Sequence, residues 1–205
     1  MRRRQNKEVR KQDDKHNKNA AKSEHHTSSE DRLKQGKFRF LNEQLYTSPS
    51  SEAIKLFKDE PALFLDYHEG YRQQVDKWPK NPLDIFIDEL KKDKYKGFKI
   101  ADFGCGEGRL QIDLEKAGHE KGLIKSFDVG KSADHVIQTD IASVPLENNS
   151  MDAGVFCLSL MGTNFPQFLR EANRVLKRDG KLFVAEVLSR FADKNGDCKD
   201  FVRLV

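Results

Sequence analysis

The stretch that decides the fold runs from Gly97 to Leu110 and reads Gly-Phe-Lys-Ile-Ala-Asp-Phe-Gly-Cys-Gly-Glu-Gly-Arg-Leu. Lys99 to Phe103 predicts a short apolar strand, Gly104 to Gly108 predicts a tight turn, and the residues that follow predict a helix. Glycines permit positive φ and a close approach of the backbone to a ligand, while the start of a helix offers unpaired N–H groups. The stretch therefore predicts a turn that binds a nucleotide-like cofactor.

The glycine spacing leaves two cofactor chemistries to compare. Dinucleotide sites use G-x-G-x-x-G and place a pyrophosphate at the helix start. Here the pattern is Gly104-x-Gly106-x-Gly108, and Asp102 precedes it at the strand end. A carboxylate there would repel a pyrophosphate but suits a ligand that carries an ammonium and a sulfonium. The pattern resembles motif I of the class I S-adenosylmethionine-dependent methyltransferases.

Further acids follow the next predicted strands. Leu123 to Phe127 ends at Asp128, where a carboxylate can accept both hydroxyls of a ribose, and Val136 to Thr139 ends at Asp140, with Ile141 next to it. Any one of these aspartates could instead be a helix cap or a turn residue. Later apolar runs, 152–160 and 181–187, flank a predicted helix over 164–176. The alternation predicts an α/β fold with a doubly wound, Rossmann-like parallel sheet.

Helical patterns precede this sheet. Aromatic and aliphatic residues at helical spacing begin after Gly36, and Ser48-Pro49, Pro61 and Asn81-Pro82 are helix-start signals, so we expect three or four helices before the first strand. We divide the chain into an arm (1–36), an N-terminal helical subdomain (37–96) and a cofactor-binding domain (97–205). His68 lies in the helical part, where a lone histidine is more often structural than functional.

The arm carries the excess charge of the chain. Of its 36 residues, 11 are Lys or Arg and 6 are Asp or Glu, so it holds +5 while the other 169 residues hold −1. Few of its side chains are apolar, which predicts disorder. A basic arm attracts phosphate backbones and can serve in nuclear import, although a solubilising tail fits the composition equally well.

Composition also excludes several classes. No apolar run is long enough for a membrane-spanning helix, and the first residues lack the apolar core of a secretory signal. Cys105, Cys157 and Cys198 fit neither a disulfide scaffold nor a zinc cluster. We expect an intracellular protein without a membrane or a metal.

Several longer blocks resemble one family, the nucleolar ribosomal-RNA-processing methyltransferases that are called nucleomethylin in animals. The resemblance covers about residues 37–205 and rests on these blocks: Phe38-Arg-Phe-Leu-Asn-Glu-Gln-Leu-Tyr46, Lys77-Trp78-Pro79, Val155-Phe-Cys-Leu-Ser-Leu-Met-Gly-Thr-Asn164 and Glu171-Ala-Asn-Arg-Val-Leu-Lys177. It implies S-adenosylmethionine as the cofactor, a nucleolar location, and methylation of N1 of an adenosine in large-subunit ribosomal RNA. It also implies possible partners in a chromatin-silencing complex at ribosomal DNA.

The resemblance also implies a set of cofactor contacts. Carried over position by position, they fall on His68, Gly104, Asp128, Asp140, Ile141 and Cys157. Catalytic residues are not assigned. From its place after the fourth strand, the segment from Ser159 to Asn164 is predicted to line the substrate base, with Thr163 or Asn164 as its polar contacts.

The C-terminus departs from the family pattern. The chain stops at Val205, in a predicted helix after strand five, whereas the family continues into a closing hairpin of two strands, so we expect strand five to be an exposed edge. A non-catalytic cofactor-binding subunit and a small-molecule methyltransferase of the same fold remain the alternative functions.

Overall fold

A computed structural model describes residues 29–205, so the predicted disorder of residues 1–28 lies outside the described part of the chain. Four helices come first: α1 (Ser29–Thr47), α2 (Ser50–Asp59), α3 (Pro61–Val75) and α4 (Pro82–Leu90). Asn81 caps α4 by accepting a hydrogen bond from the Leu83 N–H, with Pro82 in the first turn, as the sequence predicts. The predicted arm ends at residue 36, but α1 already begins at Ser29, so the boundary falls inside a helix.

The rest of the chain alternates between strands and helices. In chain order the elements are β1 (Ile100–Phe103), α5 (Arg109–Lys116), β2 (Ile124–Asp128), β3 (Val136–Gln138), β4 (Met151–Cys157), α6 (Phe165–Val175), β5 (Leu176–Ala185), α7 (Leu188–Phe191) and α8 (Lys199–Leu204). A 3-10 turn at Asp93–Tyr95 joins α4 to β1.

All five described strands are parallel and lie in the order β3-β2-β1-β4-β5. The chain adds strands on one side of β1 and then crosses to the other side with β4, which makes the carboxyl ends of β1 and β4 the switch point where doubly wound sheets bind ligands. This confirms the predicted fold class.

Strand β5 differs from its predicted bounds of 181–187. It follows α6 directly, and its register with β4 shifts between Met151 and Ala153, so that Leu176 pairs with Met151 and Lys181 pairs with Ala153. The intervening residues include Asp179-Gly180, a turn signal, and stand outside the regular ladder. Among the described strands, β5 pairs with β4 alone and forms one edge of the sheet.

Apolar clusters cover both faces of the sheet. One packs α6 against β4 through Phe168, Ala172 and Val175, and the other packs α4 and α5 against β1 through Leu90 and Leu114. Helix α4 lies within the predicted helical subdomain but packs on the sheet. Only α1, α2 and α3 share a separate core, which contacts Val129 after β2 and Met161 after β4. These three helices therefore lie against the carboxyl ends of the central strands.

None of the helices in the described range is both long and apolar enough to cross a membrane.

Candidate functional site

A cavity of about 350 Å³ lies at the carboxyl ends of β1, β2 and β4. The helices α2 and α3 contribute to its wall, and the turn between β1 and α5 forms part of its lining. The cavity therefore lies at the switch point of the sheet, where the strand order predicts a ligand site.

The glycine turn needs glycine for two separate reasons. Gly104 and Gly106 have φ values of 73° and 58°, in the left-handed region that side chains disfavour. A Cβ on Gly104 would lie 2.4 Å from the Ser159 Cβ, and one on Gly106 would lie 3.0 Å from the His68 Cε1. The turn thus packs closely against both the segment after β4 and helix α3.

Two buried carboxylates line the cavity next to this turn. Asp128 accepts hydrogen bonds from the Gly106 and Val129 N–H groups, both at 2.7 Å. Burial raises the pKa of Asp128 to about 6, and these backbone donors oppose the rise. Burial and the nearby Asp128 charge raise the pKa of Asp102 to about 8. A cationic ligand would relieve the cost of ionising both groups.

His68 enters the cavity from α3, a placement that the family resemblance implied but that its position in the sequence alone did not. Its ring packs edge-on against Phe64, with 4.4 Å between the ring centroids, and lies over Gly106. Burial lowers the pKa of His68 to about 4, so the imidazole is neutral at neutral pH and does not repel a cation.

Five of the six residues carried over from the family line this cavity: His68, Gly104, Asp128, Ile141 and Cys157. Asp140 does not. Its Oδ1 accepts a hydrogen bond from the Ala142 N–H and its Oδ2 accepts one from the Ser50 hydroxyl, both at 2.9 Å. Asp140 therefore joins the start of α2 to the loop after β3.

Asn164 takes part in the same attachment. Its Oδ1 accepts a hydrogen bond from the Ser50 N–H at 2.9 Å, and its Nδ2 donates to the Ser50 hydroxyl and to Gln167. The side chain is thus engaged within the protein, and the exposed Thr163 does not line the cavity either. The predicted base contacts at these two positions have no support in the geometry.

The sequence did not indicate a role for Leu158 or Glu186 in the segment after β4, whereas Ser159 lies in the stretch that is predicted to line the base. Leu158 adopts φ 58°, an unfavourable conformation for a branched side chain, and the buried Ser159 hydroxyl has no hydrogen-bond partner within residues 29–205. Glu186 holds the segment by accepting a hydrogen bond from the Leu160 N–H at 2.8 Å. Glu186 follows β5 directly, but the predicted strand over 181–187 includes it, so the strand-end signal that identified Asp128 did not identify Glu186.

The cysteines near the cavity are not activated. Burial raises the pKa of Cys157 to about 12 and also raises that of Cys105, so both remain thiols at neutral pH. In the described range, no group of three or more His, Cys, Asp or Glu side chains is placed to hold a metal ion.

The doubly wound sheet and the acidic cavity beside a glycine turn are the features of α/β proteins that bind a nucleotide-like cofactor. Among these proteins, they place this chain in the methyltransferase class. A family model described as "Hypothetical methyltransferase" matches residues 24–205. The chain belongs to this family.

Curated relatives give the family a more specific description. A 25S rRNA (adenine(645)-N(1))-methyltransferase of Schizosaccharomyces pombe is 47% identical over 82% of this chain, and one of Saccharomyces cerevisiae is 40% identical over 81%. Ribosomal RNA-processing protein 8 of Mus musculus is 49% identical over 79%. The matches cover 54%, 49% and 34% of these relatives, so the chain spans about half of their length or less.

Proposed function

We propose that this chain is the catalytic part of an S-adenosylmethionine-dependent methyltransferase that modifies N1 of an adenosine in large-subunit ribosomal RNA. The observation that carries the proposal is the acidic cavity at the switch point, in a chain 47% identical to a relative named as a 25S rRNA adenine-N1 methyltransferase. The substrate in this proposal is taken from the names of the relatives, and the cofactor is inferred from the acidic residues of the cavity.

The cavity residues fit S-adenosylmethionine. Its ammonium and sulfonium are cations, which suit two buried carboxylates that form no ion pair within residues 29–205. We assign Asp102 to the ammonium and Asp128 to the ribose hydroxyls. Each Asp128 oxygen still has a lone pair after accepting one backbone hydrogen bond.

The other assigned contacts determine the shape of the cavity around the cofactor. Ile141 is 5% exposed and offers an apolar surface for the adenine ring, while His68 and Cys157 close the cavity as neutral groups. Asp140 would need its remaining lone pairs to reach the adenine amino group, because both of its oxygens already accept hydrogen bonds. We retain it as a prediction.

The chain acts mainly by positioning the reactants. The bound cofactor supplies a methyl group on a sulfonium, which a ring nitrogen of the substrate can attack directly. With its thiols protonated, the protein offers no cysteine nucleophile in the cavity. Its residues bind and orient the cofactor, and α2 and α3 form part of the wall around it.

Calorimetry and methyl transfer test the proposal in sequence. We expect the purified chain to bind S-adenosylmethionine, and to transfer a radiolabelled methyl group to an unmodified large-subunit ribosomal RNA fragment. Digestion and chromatography should identify 1-methyladenosine. Absence of cofactor binding would overturn the proposal. Binding without transfer would favour a non-catalytic cofactor-binding subunit. Transfer to small molecules but not to RNA would favour a small-molecule methyltransferase of the same fold.

We also propose a nucleolar location, because ribosomal RNA processing takes place there and relatives carry that process in their names. A fluorescent fusion of the chain, imaged with a nucleolar marker, tests the location. Partners in chromatin silencing remain a prediction of the resemblance, which co-purification with ribosomal DNA chromatin would test.

A further inference from the structure

A second cavity, of about 420 Å³, lies beside the first one. Helices α1 and α3 provide most of its lining, and the ends of β4 and β5 close it through Leu158 and Val187. None of the contacts carried over from the family, and none of the residues assigned above to the cofactor, belongs to this lining.

The two cavities share a wall. Tyr67, Tyr71 and Leu158 line both of them. Leu158 is the residue with φ 58° at the end of β4, and its N–H donates to the Ala185 carbonyl at 2.8 Å, so its backbone is held at the boundary. A group placed in the second cavity therefore lies next to the cofactor cavity, as a methyl acceptor must.

The second cavity is lined with aromatic rings. Phe38 stacks on Tyr67 with 5.3 Å between the ring centroids, and Tyr46, Tyr71 and Trp78 add three further rings. Flat heteroaromatic ligands stack on such surfaces, and every nucleobase has a face that can do so.

Polar groups without partners accompany the rings. Within residues 29–205, the hydroxyls of Tyr46 and Tyr71 and the side-chain amides of Gln35 and Gln74 form no hydrogen bond. Burial raises the pKa of Tyr46 to about 12 and also raises that of Tyr71, so both phenols stay protonated and can donate. Donors and acceptors among aromatic rings suit the edge of a base.

Cations lie in the lining of the cavity and next to Trp78 in the sequence. Trp78 is 37% exposed and lies between the exposed Lys77 and Lys80, while Arg39 belongs to the lining. In the described chain, none of these three cations takes part in an ion pair. Unpaired cations around a stacking platform are the arrangement that binds single-stranded nucleic acid.

We propose that the second cavity receives the acceptor adenine of a single-stranded RNA segment. Trp78 stacks on the base together with the face of Tyr46 opposite the Arg190 guanidinium, which lies 4.7 Å from the Tyr46 ring centroid. Lys77, Lys80 and Arg39 hold the adjacent phosphates. The proposal rests on the proposed function, since it names the substrate subsite of the same reaction. It replaces the predicted base contacts at Thr163 and Asn164.

Trp78 is the one tryptophan of the chain and reports directly on this cavity. Titrating the chain with a short single-stranded oligoadenylate should quench its fluorescence saturably. In parallel, the affinity for the same labelled RNA should fall about tenfold in Tyr46→Leu and in Trp78→Leu, from loss of one stacking partner. Trp78 is exposed enough that its replacement leaves the core intact. Phe40→Leu is the matched control, because Phe40 lies on α1 but is 67% exposed and lines neither cavity.

Calorimetry with S-adenosylmethionine on the same variants separates the two proposals. Normal cofactor binding with weakened RNA binding in Tyr46→Leu and Trp78→Leu, but not in Phe40→Leu, supports the subsite. Normal cofactor binding with unchanged RNA affinity in both variants overturns it and leaves the proposed function intact. Failure of the unmodified chain to bind the cofactor overturns the proposed function itself.

Discussion

At the scale of single residues, the site depends on charges kept out of water. Asp102 and Asp128 are 3% and 7% exposed, and burial raises the pKa of each. An isolated carboxylate in such a place costs stability, and natural proteins keep it where a ligand or partner compensates. The unpartnered Ser159 hydroxyl belongs to the same cavity. These residues are arranged for a ligand more than for the stability of the free protein.

Replacing Asp128 with Asn should weaken S-adenosylmethionine binding by about 10- to 100-fold, since the amide can accept through one oxygen only and carries no charge. Isothermal calorimetry measures the change. Asp134→Asn is the matched control, because Asp134 is fully exposed and lines neither cavity. Equal affinity in the two variants would exclude Asp128 from the contact.

The stability of the ligand-free protein should depend on pH through Asp102. An unfolded aspartate ionises near pH 4, whereas the folded Asp102 ionises near its pKa of about 8. Because the unfolded state loses this proton first, the free energy of unfolding falls as the pH rises from about 4 to about 8. Asp102→Asn should raise Tm relative to the unmodified chain by a few degrees more at pH 8 than at pH 5. Scanning calorimetry at the two pH values measures this, and a difference independent of pH would contradict it.

At the scale of elements, the helices before the sheet complete the cavity. Helix α3 brings His68 over the glycine turn, and α2 is attached through Ser50, whose hydroxyl donates to Asp140 and accepts from Asn164. Ser50 is 6% exposed, so these bonds are shielded from water. The attachment joins the start of α2 to the loop after β3 and to the segment before α6.

Ser50→Ala should lower the free energy of unfolding by about 1–3 kcal/mol, because it leaves the buried partners of the hydroxyl unsatisfied. Ser51→Ala offers a control at the next position, where the side chain is exposed and forms no hydrogen bond within the described chain. Urea denaturation of both variants measures the difference. Similar stabilities would show that the attachment contributes little.

At the scale of the whole molecule, the excess positive charge lies in a different part of the chain from the sheet and the two cavities. Residues 1–28 hold a net charge of +5, and residues 29–205, which form the sheet and both cavities, hold −1. General attraction to a phosphate backbone would therefore come from residues 1–28, whereas recognition of a base would come from the second cavity. The two contributions differ in their salt dependence.

Deleting residues 1–28 should reduce the slope of log affinity for single-stranded RNA against log salt, while cofactor affinity stays unchanged. Each phosphate contact on a single strand contributes about 0.7 to this slope. Lys77→Gln combined with Lys80→Gln in the shortened chain should reduce the slope further. An unchanged slope after the deletion would identify residues 1–28 as a solubilising tail.

The sequence by itself determined the parts of the fold and site that depend on local order. Apolar runs indicated all five strands, the glycines of the turn required left-handed backbone, and Asp102 and Asp128 follow from parallel strands ending at one edge. The sequence could not give the first and last residues of β5, because the register shift depends on the pairing of β5 with β4.

Only the tertiary structure decided which distant residues meet. His68 reaches Gly106, Ser50 joins Asp140 to Asn164, and Tyr46 and Trp78 line one cavity although they belong to different segments. Each case depends on the angle at which α1, α2 and α3 pack on the strand ends. That angle is set by the side chains of their shared core, and no periodicity along the chain encodes it.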